Sequence, residues 1–239
     1  MSAAGEPARP GRRLAAWGVH LLTASSAPAG LLALLAADRG NAATALGWMA
    51  YTVAIDSIDG TLARAVGVKT VLPHIDGTRL DDVVDYVTYV IVPAYFMVRM
   101  DLLPPGLAAP VACCPVLASA FGFASTEAKT TDHFFTGFPS YWNVVAFYLY
   151  ALGWSPGVNA AVVLAFAAAV FLPLRYVYPS RTTTLRPLTV ALGLVWGGTV
   201  LYVLAHLATA SRTLVATSLA YPVYYVLLSL ILQLRRPAH

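Results

Sequence analysis

Four aspartates with regular spacing are the residues best suited to do chemistry in this chain. Asp56 and Asp59 are spaced i, i+3, and Asp81 and Asp85 are spaced i, i+4, each pair beside a long apolar run. On a helix either spacing places both side chains on one face, and ionisable groups inside a membrane are usually functional. Four converging carboxylates repel one another unless cations lie between them, and their oxygens suit Mg²⁺ or Mn²⁺ rather than zinc. The pattern predicts a two-metal site that transfers a phosphate ester group at one face of a membrane.

The residues around the aspartate pairs suit the binding of a nucleotide. Gly60 and Ala63 follow the first pair, and Gly77 precedes the second, so a flat base can approach the backbone without meeting long side chains. Arg64 lies five residues after Asp59, and its planar guanidinium can form paired hydrogen bonds with phosphate oxygens. These small residues and the arginine are therefore candidates for nucleotide binding.

The composition is that of a membrane protein. Of 239 residues, 59% are hydrophobic and 11% are charged, and the mean hydropathy is +0.69. A soluble domain carries about twice this share of charged residues. The net charge of +4 comes from basic residues scattered over short connectors, which indicates contact with anionic lipid rather than with nucleic acid. Cys113 and Cys114 are adjacent in an apolar segment, so they predict neither a metal site nor a disulfide between them.

Apolar stretches separated by short polar connectors predict an all-α fold, a polytopic membrane helix bundle with about eight transmembrane helices. Residues 1–13 form a polar tail in this prediction, and residues 14–236 form a single transmembrane catalytic domain. Ser25, Ser26 and Pro28 interrupt the first stretch and predict a kink there. The predicted spans are residues 14–37, 42–58, 77–98, 107–125, 141–154, 158–178, 187–207 and 213–234.

The basic residues predict the orientation of the bundle. With eight spans and the N-terminus in the cytoplasm, twelve of the fifteen Lys and Arg residues lie on the cytoplasmic side, and Arg39, Arg99 and Arg212 lie opposite. This asymmetry follows the positive-inside rule. Both chain termini and all four aspartates are then expected at the cytoplasmic face.

The same residues resemble the signature of the CDP-alcohol phosphotransferase family. The order D-x2-D-G-x2-A-R, then twelve residues, then G-x3-D-x3-D fills all eight signature positions. The resemblance implies two divalent ions, Mn²⁺ or Mg²⁺, and a six-helix core, which two C-terminal helices would follow here. It implies metal ligands at Asp56, Asp59, Asp81 and Asp85, a catalytic base at Asp85, and CDP-binding residues at Asp56, Gly60, Ala63, Arg64, Gly77 and Asp81.

Two further segments narrow the resemblance to one bacterial branch of the family. Residues 85–90 and 129–148 resemble those of enzymes that join choline directly to CDP-diacylglycerol, giving phosphatidylcholine and CMP. This resemblance implies CDP-diacylglycerol, choline and membrane lipids as partners, the bacterial inner membrane as location, and a homodimer as a common state. Because choline is a quaternary ammonium, aromatic faces and a carboxylate can hold it. The candidate choline-binding residues are Tyr89, Glu127, Tyr141, Trp142 and Asn143.

The signature alone leaves the reaction partners open. Serine, glycerol phosphate or inositol phosphate could replace choline as the acceptor, or phosphocholine could pass from CDP-choline to diacylglycerol. A divalent-cation transporter also carries carboxylates in its membrane spans, but it predicts acids deep in several spans and no arginine beside them. Asp76 and Asp82 are expected to be solvated or to support the site from outside, and His20 and His206 are expected to pack within spans.

Overall fold

A computed structural model describes residues 9–125, 134–177 and 184–234 of the chain. These residues are helical almost throughout and include one small two-stranded sheet. Helices suit an apolar chain in a membrane, because a helix satisfies its backbone hydrogen bonds internally. The predicted helical fold is therefore confirmed, and the sheet is an addition to it.

The first apolar stretch forms two helices, α1 (Pro10–Ala24) and α2 (Ser26–Asp38), which meet at Ser25. The Ser25 hydroxyl donates a hydrogen bond to the Leu22 carbonyl at 2.6 Å. Such a bond to the preceding turn competes with the regular backbone ladder and often bends a helix. The predicted interruption near this serine is confirmed.

The next helix, α3 (Ala42–Val66), extends beyond the predicted second span, whose end at residue 58 is wrong. Asn41 caps its start by accepting a hydrogen bond from the Thr44 backbone nitrogen at 3.1 Å. Gly67 ends it with φ at 72°, a left-handed conformation that glycine adopts without strain. The first aspartate pair and the small residues after it therefore lie on one continuous helix.

The connector contains a short helix, α4 (Val68–Val71), and the third predicted span forms three helical segments. These are α5 (Gly77–Asp85), a π-helix (Tyr86–Ile91) and α6 (Val92–Arg99). Pro93 lacks the N–H that would continue a regular α-helical ladder. Wider π turns accommodate such interruptions and are frequent at functional sites, and this one directly follows the second aspartate pair.

Three shorter apolar helices follow, α7 (Ala108–Ala124), α8 (Trp142–Leu152) and α9 (Pro156–Ala169). α7 packs against α9, and α6 packs against α7 and α8. Trp142 lies at the centre of this packing, with its side chain 0% exposed. Trp142, at the start of α8, therefore belongs to the core of the protein.

The two strands are β1 (Phe134–Thr136) and β2 (Arg175–Val177), paired antiparallel with Thr136 opposite Arg175. The predicted sixth span, residues 158–178, is therefore too long, because its last residues form a strand. Pro173 prevents the helix from continuing, and aromatic and β-branched residues such as Tyr176 and Val177 favour extended backbone.

The C-terminal part consists of α10 (Arg186–Ala205), α11 (Arg212–Ser218) and α12 (Ala220–Leu234). A single residue, Leu219, separates α11 from α12. It lies three residues before Pro222, which has no N–H to donate to the Ser218 carbonyl. Within the described residues, three helical stretches are long and apolar enough to cross a membrane. They are Pro10–Asp38, Arg186–Ala205 and Arg212–Leu234. The count of about eight transmembrane helices remains a prediction.

One face of α1 connects the elements that carry the two aspartate pairs. Ala16, Val19, His20 and Thr23 are buried on α1, and their spacing of three to four residues places them on one side of the helix. α1 packs against α3, α4 and α5. Helix α1 therefore bridges the two halves of the aspartate signature.

Candidate active site

Three carboxylates from two helices converge. Asp56 belongs to α3, and Asp81 and Asp85 belong to α5. One carboxylate oxygen of each residue lies within 4.8 Å of the other two, and all three residues are partly buried. Only residues 67–76 separate the two helices along the chain, so the short connector accounts for the convergence.

The residues of this cluster fit a divalent metal ion. Like charges at this separation repel one another in a partly buried site, and a bound cation would offset that repulsion. Carboxylate oxygens are the ligands that Mg²⁺ and Mn²⁺ prefer. With metal–oxygen distances of about 2.1 Å, ligands on opposite sides of one ion lie about 4 Å apart, so oxygens within 4.8 Å of one another need only small movements.

Asp59, the fourth signature aspartate, lies outside that group of three. It is buried, with 6% of its surface exposed, and its Oδ2 accepts a hydrogen bond from the Thr23 hydroxyl of α1 at 2.7 Å. A hydrogen bond to one oxygen fixes the orientation of a carboxylate, as is usual for the supporting groups of metal ligands. The structure thus gives Asp59 a different environment from the other three aspartates.

Tyr89 connects the π-helix to the carboxylate cluster. Its hydroxyl donates a hydrogen bond to Asp56 Oδ2 at 2.8 Å, and its side chain is buried. A charge-assisted hydrogen bond of this kind holds the carboxylate in one orientation. The sequence analysis placed Tyr89 near choline, whereas the structure places its hydroxyl on the first aspartate of the signature.

The predicted nucleotide-binding residues lie on the same two helices. Gly60 and Ala63 are partly buried on α3, and Gly77 is the first residue of α5. The exposed Arg64 donates from Nη2 to Thr61 Oγ1 at 2.9 Å. A side chain added at Gly60 would meet the other terminal nitrogen of Arg64 at 3.4 Å. The guanidinium therefore lies close to Gly60, the residue that directly follows Asp59.

Asp76 caps the helix that carries the second aspartate pair. Its Oδ1 accepts hydrogen bonds from the backbone nitrogens of Thr78 and Arg79 at 3.0 and 3.2 Å, which satisfies two donors at the start of α5. This is a supporting role, in agreement with the expectation for Asp76. Asp82 is partly buried on α5 and is not a member of the three-carboxylate cluster.

The choline-binding candidates have separate environments. The Tyr141 ring lies 6.3 Å from the Tyr89 ring and is partly buried. Trp142 is fully buried, donates to Ser119 Oγ at 2.8 Å and therefore packs in the core. The buried Asn143 has no hydrogen-bond partner for its Nδ2 within the described part of the chain. Glu127 lies outside the described residues.

Two features of the site were missed by the sequence analysis. Thr23, which binds Asp59, carries no motif, and only its position on the apolar α1 stretch could have drawn attention to it. The π-helix had a weak signal in Pro93, which follows Asp85 by eight residues. The contact between Thr23 and Asp59 joins two helices, and a single sequence does not specify which helix faces pack together.

Comparison with known proteins identifies the family to which this chain belongs. The sequence profile of the CDP-alcohol phosphatidyltransferase family matches residues 18–177, and this chain belongs to that family. The matched region contains all eight signature positions and the three converging carboxylates. The chain is therefore a membrane-embedded transferase, and α10 to α12 lie beyond the matched region.

Curated relatives within the family share one name. The phosphatidylcholine synthase of Legionella pneumophila is 40% identical over 222 residues, which cover 90% of this chain and 87% of that protein. The Pseudomonas aeruginosa phosphatidylcholine synthase is 42% identical over 76% of each chain. The Rhizobium meliloti phosphatidylcholine synthase is 34% identical over 94% of this chain and 93% of that protein. The similarity to the first and third of these relatives covers more of the chain than the family profile does.

Proposed function

We propose that this protein is a phosphatidylcholine synthase, which transfers the phosphatidyl group of CDP-diacylglycerol to choline and releases CMP. The observation that carries this proposal is the convergence of three signature carboxylates. The chain is similar, over most of its length, to curated relatives that bear this name. The family signature supports the cleavage of a CDP-linked diphosphate, and the relatives support choline as the acceptor.

The signature residues bind the nucleotide-activated lipid in this proposal. Asp56, Asp81 and Asp85 hold divalent ions together with Asp59, which Thr23 orients. When bound, Mn²⁺ or Mg²⁺ would offset the charge of the diphosphate and of the departing CMP. The CDP moiety lies against Gly60, Ala63, Arg64 and Gly77, and the exposed Arg64 guanidinium is available for phosphate oxygens.

The reaction replaces one phosphoanhydride bond with a phosphate ester bond. The choline oxygen forms a bond to the phosphorus that carries diacylglycerol, and the bond between that phosphorus and the CMP oxygen breaks. Asp85 accepts the proton of the choline hydroxyl, directly or through a water molecule. Asp85 suits this role because it is the last residue of α5, where the partly buried cluster meets the π-helix. The helical change there can re-aim the side chains that follow it.

The choline site is proposed beside Tyr141 at the N-terminal end of α8. Among the aromatic candidates in the described residues, Tyr141 retains partial exposure and lies next to Tyr89, which binds Asp56. Its aromatic face and the nearby acids suit a quaternary ammonium. Asn143 is a supporting residue in this proposal, and Trp142 shapes the site from the core.

The location and arrangement follow from the same proposal. The active site lies at the cytoplasmic face of the bacterial inner membrane, with both termini on that side, where the basic residues predict it. Residues 14–236 act as one catalytic domain, in which two C-terminal helices, the α10 to α12 region, follow a six-helix core, and two such chains form a homodimer.

The direct test is incorporation of labelled choline by purified protein. Wild-type protein in detergent or liposomes is given CDP-diacylglycerol and Mn²⁺ or Mg²⁺, and both phosphatidylcholine and CMP are measured. The proposal expects equal amounts of both products and none after chelation of divalent ions. Product formation from serine, glycerol phosphate or inositol phosphate but not choline would contradict the acceptor. Product only from CDP-choline and diacylglycerol would contradict the donor, and Mn²⁺ flux without lipid synthesis would favour a transporter.

A further inference from the structure

The last described helix contacts the aromatic residue beside which the choline site is proposed. Tyr141 packs against a cluster that includes Tyr225 and Leu228 of α12. A hydrogen bond joins the side chains of Tyr141 and Tyr225. Because Tyr225 is only 9% exposed, its hydroxyl needs hydrogen-bond partners within the protein. Helix α12 therefore forms part of the surroundings of Tyr141.

Strand β2 fixes the Tyr225 hydroxyl. Tyr225 donates a hydrogen bond to the Val177 carbonyl at 2.8 Å, and its ring stacks on Tyr176 at a centroid distance of 6.2 Å. Ser229, one turn further along α12, accepts a hydrogen bond from the Val177 backbone nitrogen at 3.0 Å. Since a phenol has one hydrogen to donate, the Tyr225 oxygen is the acceptor in its bond with Tyr141.

Tyr141 also lies beside the residue that binds the first aspartate of the signature. The Tyr89 and Tyr141 ring centroids are 6.3 Å apart, with the ring planes inclined by 50°, and the Tyr89 hydroxyl donates to Asp56 at 2.8 Å. Tyr89, Tyr141 and Tyr225 therefore link the carboxylate cluster to α12. A cation is attracted to the face of an aromatic ring, so the orientation of the partly exposed Tyr141 ring matters for choline.

Helix α12 lies outside the part of the chain that carries the family signature. The family profile ends at residue 177, and α12 begins at Ala220. The signature supports cleavage of the CDP-linked diphosphate but leaves the acceptor open. A contact from α12 to the proposed acceptor site is therefore a candidate for acceptor preference.

We propose that Tyr225 is a positioning residue for Tyr141 and, through it, determines the preference for a quaternary ammonium acceptor. The Tyr225 oxygen holds the Tyr141 hydroxyl, so that the ring face of Tyr141 stays turned toward the trimethylammonium group of choline. The choline hydroxyl then reaches Asp85. This inference rests on the proposed function for the identity of the acceptor, and it assigns a role in acceptor binding to α12.

Tyr225→Phe tests the inference, because it removes the hydroxyl and keeps the ring. The KM for choline is expected to rise about 3- to 30-fold, the range of a cation–π contact, while the KM for CDP-diacylglycerol stays within about twofold. Tyr224→Phe is the matched control on the same helix, since the Tyr224 hydroxyl pairs with Thr189 at 2.9 Å. Ser229→Ala is a second control, which removes the bond to the Val177 nitrogen. Both controls are expected to keep both KM values within about twofold of wild type, and a choline-specific rise in either control would contradict the inference.

Competition binding separates positioning from packing. Labelled choline bound to detergent-solubilised protein is displaced by unlabelled choline or by dimethylbutanol, an uncharged analogue with carbon in place of nitrogen. Since only the cation is attracted by the aromatic face, Tyr225→Phe is expected to weaken choline about 3- to 30-fold and the analogue by less than about twofold. Equal weakening of both compounds is the result expected from a general packing defect. That result, or unchanged binding of both, would overturn the inference.

A double-mutant cycle with Tyr141→Phe tests whether Tyr225 acts through Tyr141. Tyr141→Phe removes the same hydrogen bond from its other end and is expected to show the same selective loss of choline binding. The inference therefore stays testable if Tyr225→Phe does not accumulate in membranes. In the Tyr141→Phe background, Tyr225→Phe is expected to add less than about twofold to the KM for choline, because coupled residues are non-additive. Fully multiplicative effects of the two substitutions would contradict the inference.

Binding and transfer of choline distinguish this inference from the proposed function. If wild type transfers no choline but binds it, and Tyr225→Phe weakens that binding selectively, the proposed function alone is rejected. If wild type transfers choline and Tyr225→Phe changes neither the KM for choline nor its binding, the positioning role alone is rejected. Absence of both transfer and binding in wild type would reject both.

Discussion

The region around the aspartate signature and the C-terminal helices α10 to α12 use polar groups in different ways. Around the signature, carboxylates receive hydrogen bonds from Thr23 and Tyr89 and converge within 4.8 Å. Near α10 to α12, neutral groups pair with one another, as Trp196 does with Tyr148 at 2.8 Å and Tyr148 with Ser218 at 2.8 Å. Neutral pairs stabilise helix contacts in a membrane at little electrostatic cost, whereas clustered charges are retained for function.

The two regions also differ in their burial. In an 18-residue apolar segment of Pro10–Asp38, 44% is buried within the protein. The corresponding shares are 11% for Arg186–Ala205 and 22% for Arg212–Leu234. The later helices therefore expose more of their surface to the surroundings. We expect substitutions around the signature to affect chemistry and substitutions in α10 to α12, apart from those of Tyr225, to affect mainly stability.

The largest effect is expected for Asp85→Asn. Loss of a general base costs about 10²- to 10⁴-fold, so kcat should fall by at least about 100-fold while CDP-diacylglycerol still binds. Asp82→Asn, on the same helix, is the control and is expected to stay within about threefold of wild type, because the Asp82 carboxylate is not one of the three that converge. Turnover of Asp85→Asn near the wild-type rate would remove the base role.

A smaller effect is expected for Arg64→Ala. Removal of a guanidinium that binds phosphate should raise the KM for CDP-diacylglycerol by about tenfold, since charged hydrogen bonds contribute about 1.5–3 kcal/mol, and should change the KM for choline less. Arg79→Ala is the control, because Arg79 is exposed and pairs with Asp76 at 3.4 Å. A larger change in the KM for choline than in the KM for CDP-diacylglycerol would contradict the assignment of Arg64 to the nucleotide site.

Thr23→Val tests whether α1 belongs functionally to the signature region. The substitution keeps the shape of the side chain and removes its hydroxyl, so Asp59 loses a hydrogen bond, and kcat/KM should fall by about tenfold as judged from the effects of supporting groups at metal sites. Thr23→Ser, which keeps the hydroxyl, is expected to restore most of the activity. Equal activity of Val and Ser variants would limit Thr23 to packing.

The smallest effect on activity is expected in the C-terminal region. Ser218→Ala removes one of the two partners of the Tyr148 hydroxyl and leaves Trp196, and membrane hydrogen bonds of this kind contribute about 0.6 kcal/mol. The free energy of unfolding should fall by about that amount while kcat/KM stays unchanged. A loss of activity comparable with that of Thr23→Val would erase the functional difference between the two regions.

The sequence was most informative where local chemistry decides the outcome. The helical fold, the interruption at Ser25 and the meeting of Asp56, Asp81 and Asp85 follow from hydropathy, turn chemistry and spacing. The predicted second span ends at residue 58, whereas α3 continues to Val66, because the polar residues after the apolar run remain helical. The predicted sixth span includes the strand Arg175–Val177 because the apolar run that begins in α9 continues up to Leu174, directly before the strand.

The contacts that organise the site depend on tertiary packing. Thr23 meets Asp59 across 36 positions in the chain, and Tyr89 meets Asp56 across 33. Spacing rules relate residues within one helix and carry no information on which faces of two helices meet. His20 was assigned to packing on the same basis, and its position against Gly77 becomes visible only when α1 and α5 are placed together.

Binding of Mn²⁺ to the purified protein tests the central claim most directly. Electron paramagnetic resonance can measure bound Mn²⁺ in wild type, in Asp81→Asn and in the control Asp82→Asn, each with CDP-diacylglycerol present. If the converging carboxylates hold the ions, wild type and Asp82→Asn bind Mn²⁺ equally and Asp81→Asn binds it at least about tenfold more weakly, as loss of a ligand predicts. Equal Mn²⁺ binding by Asp81→Asn and wild type would contradict the account.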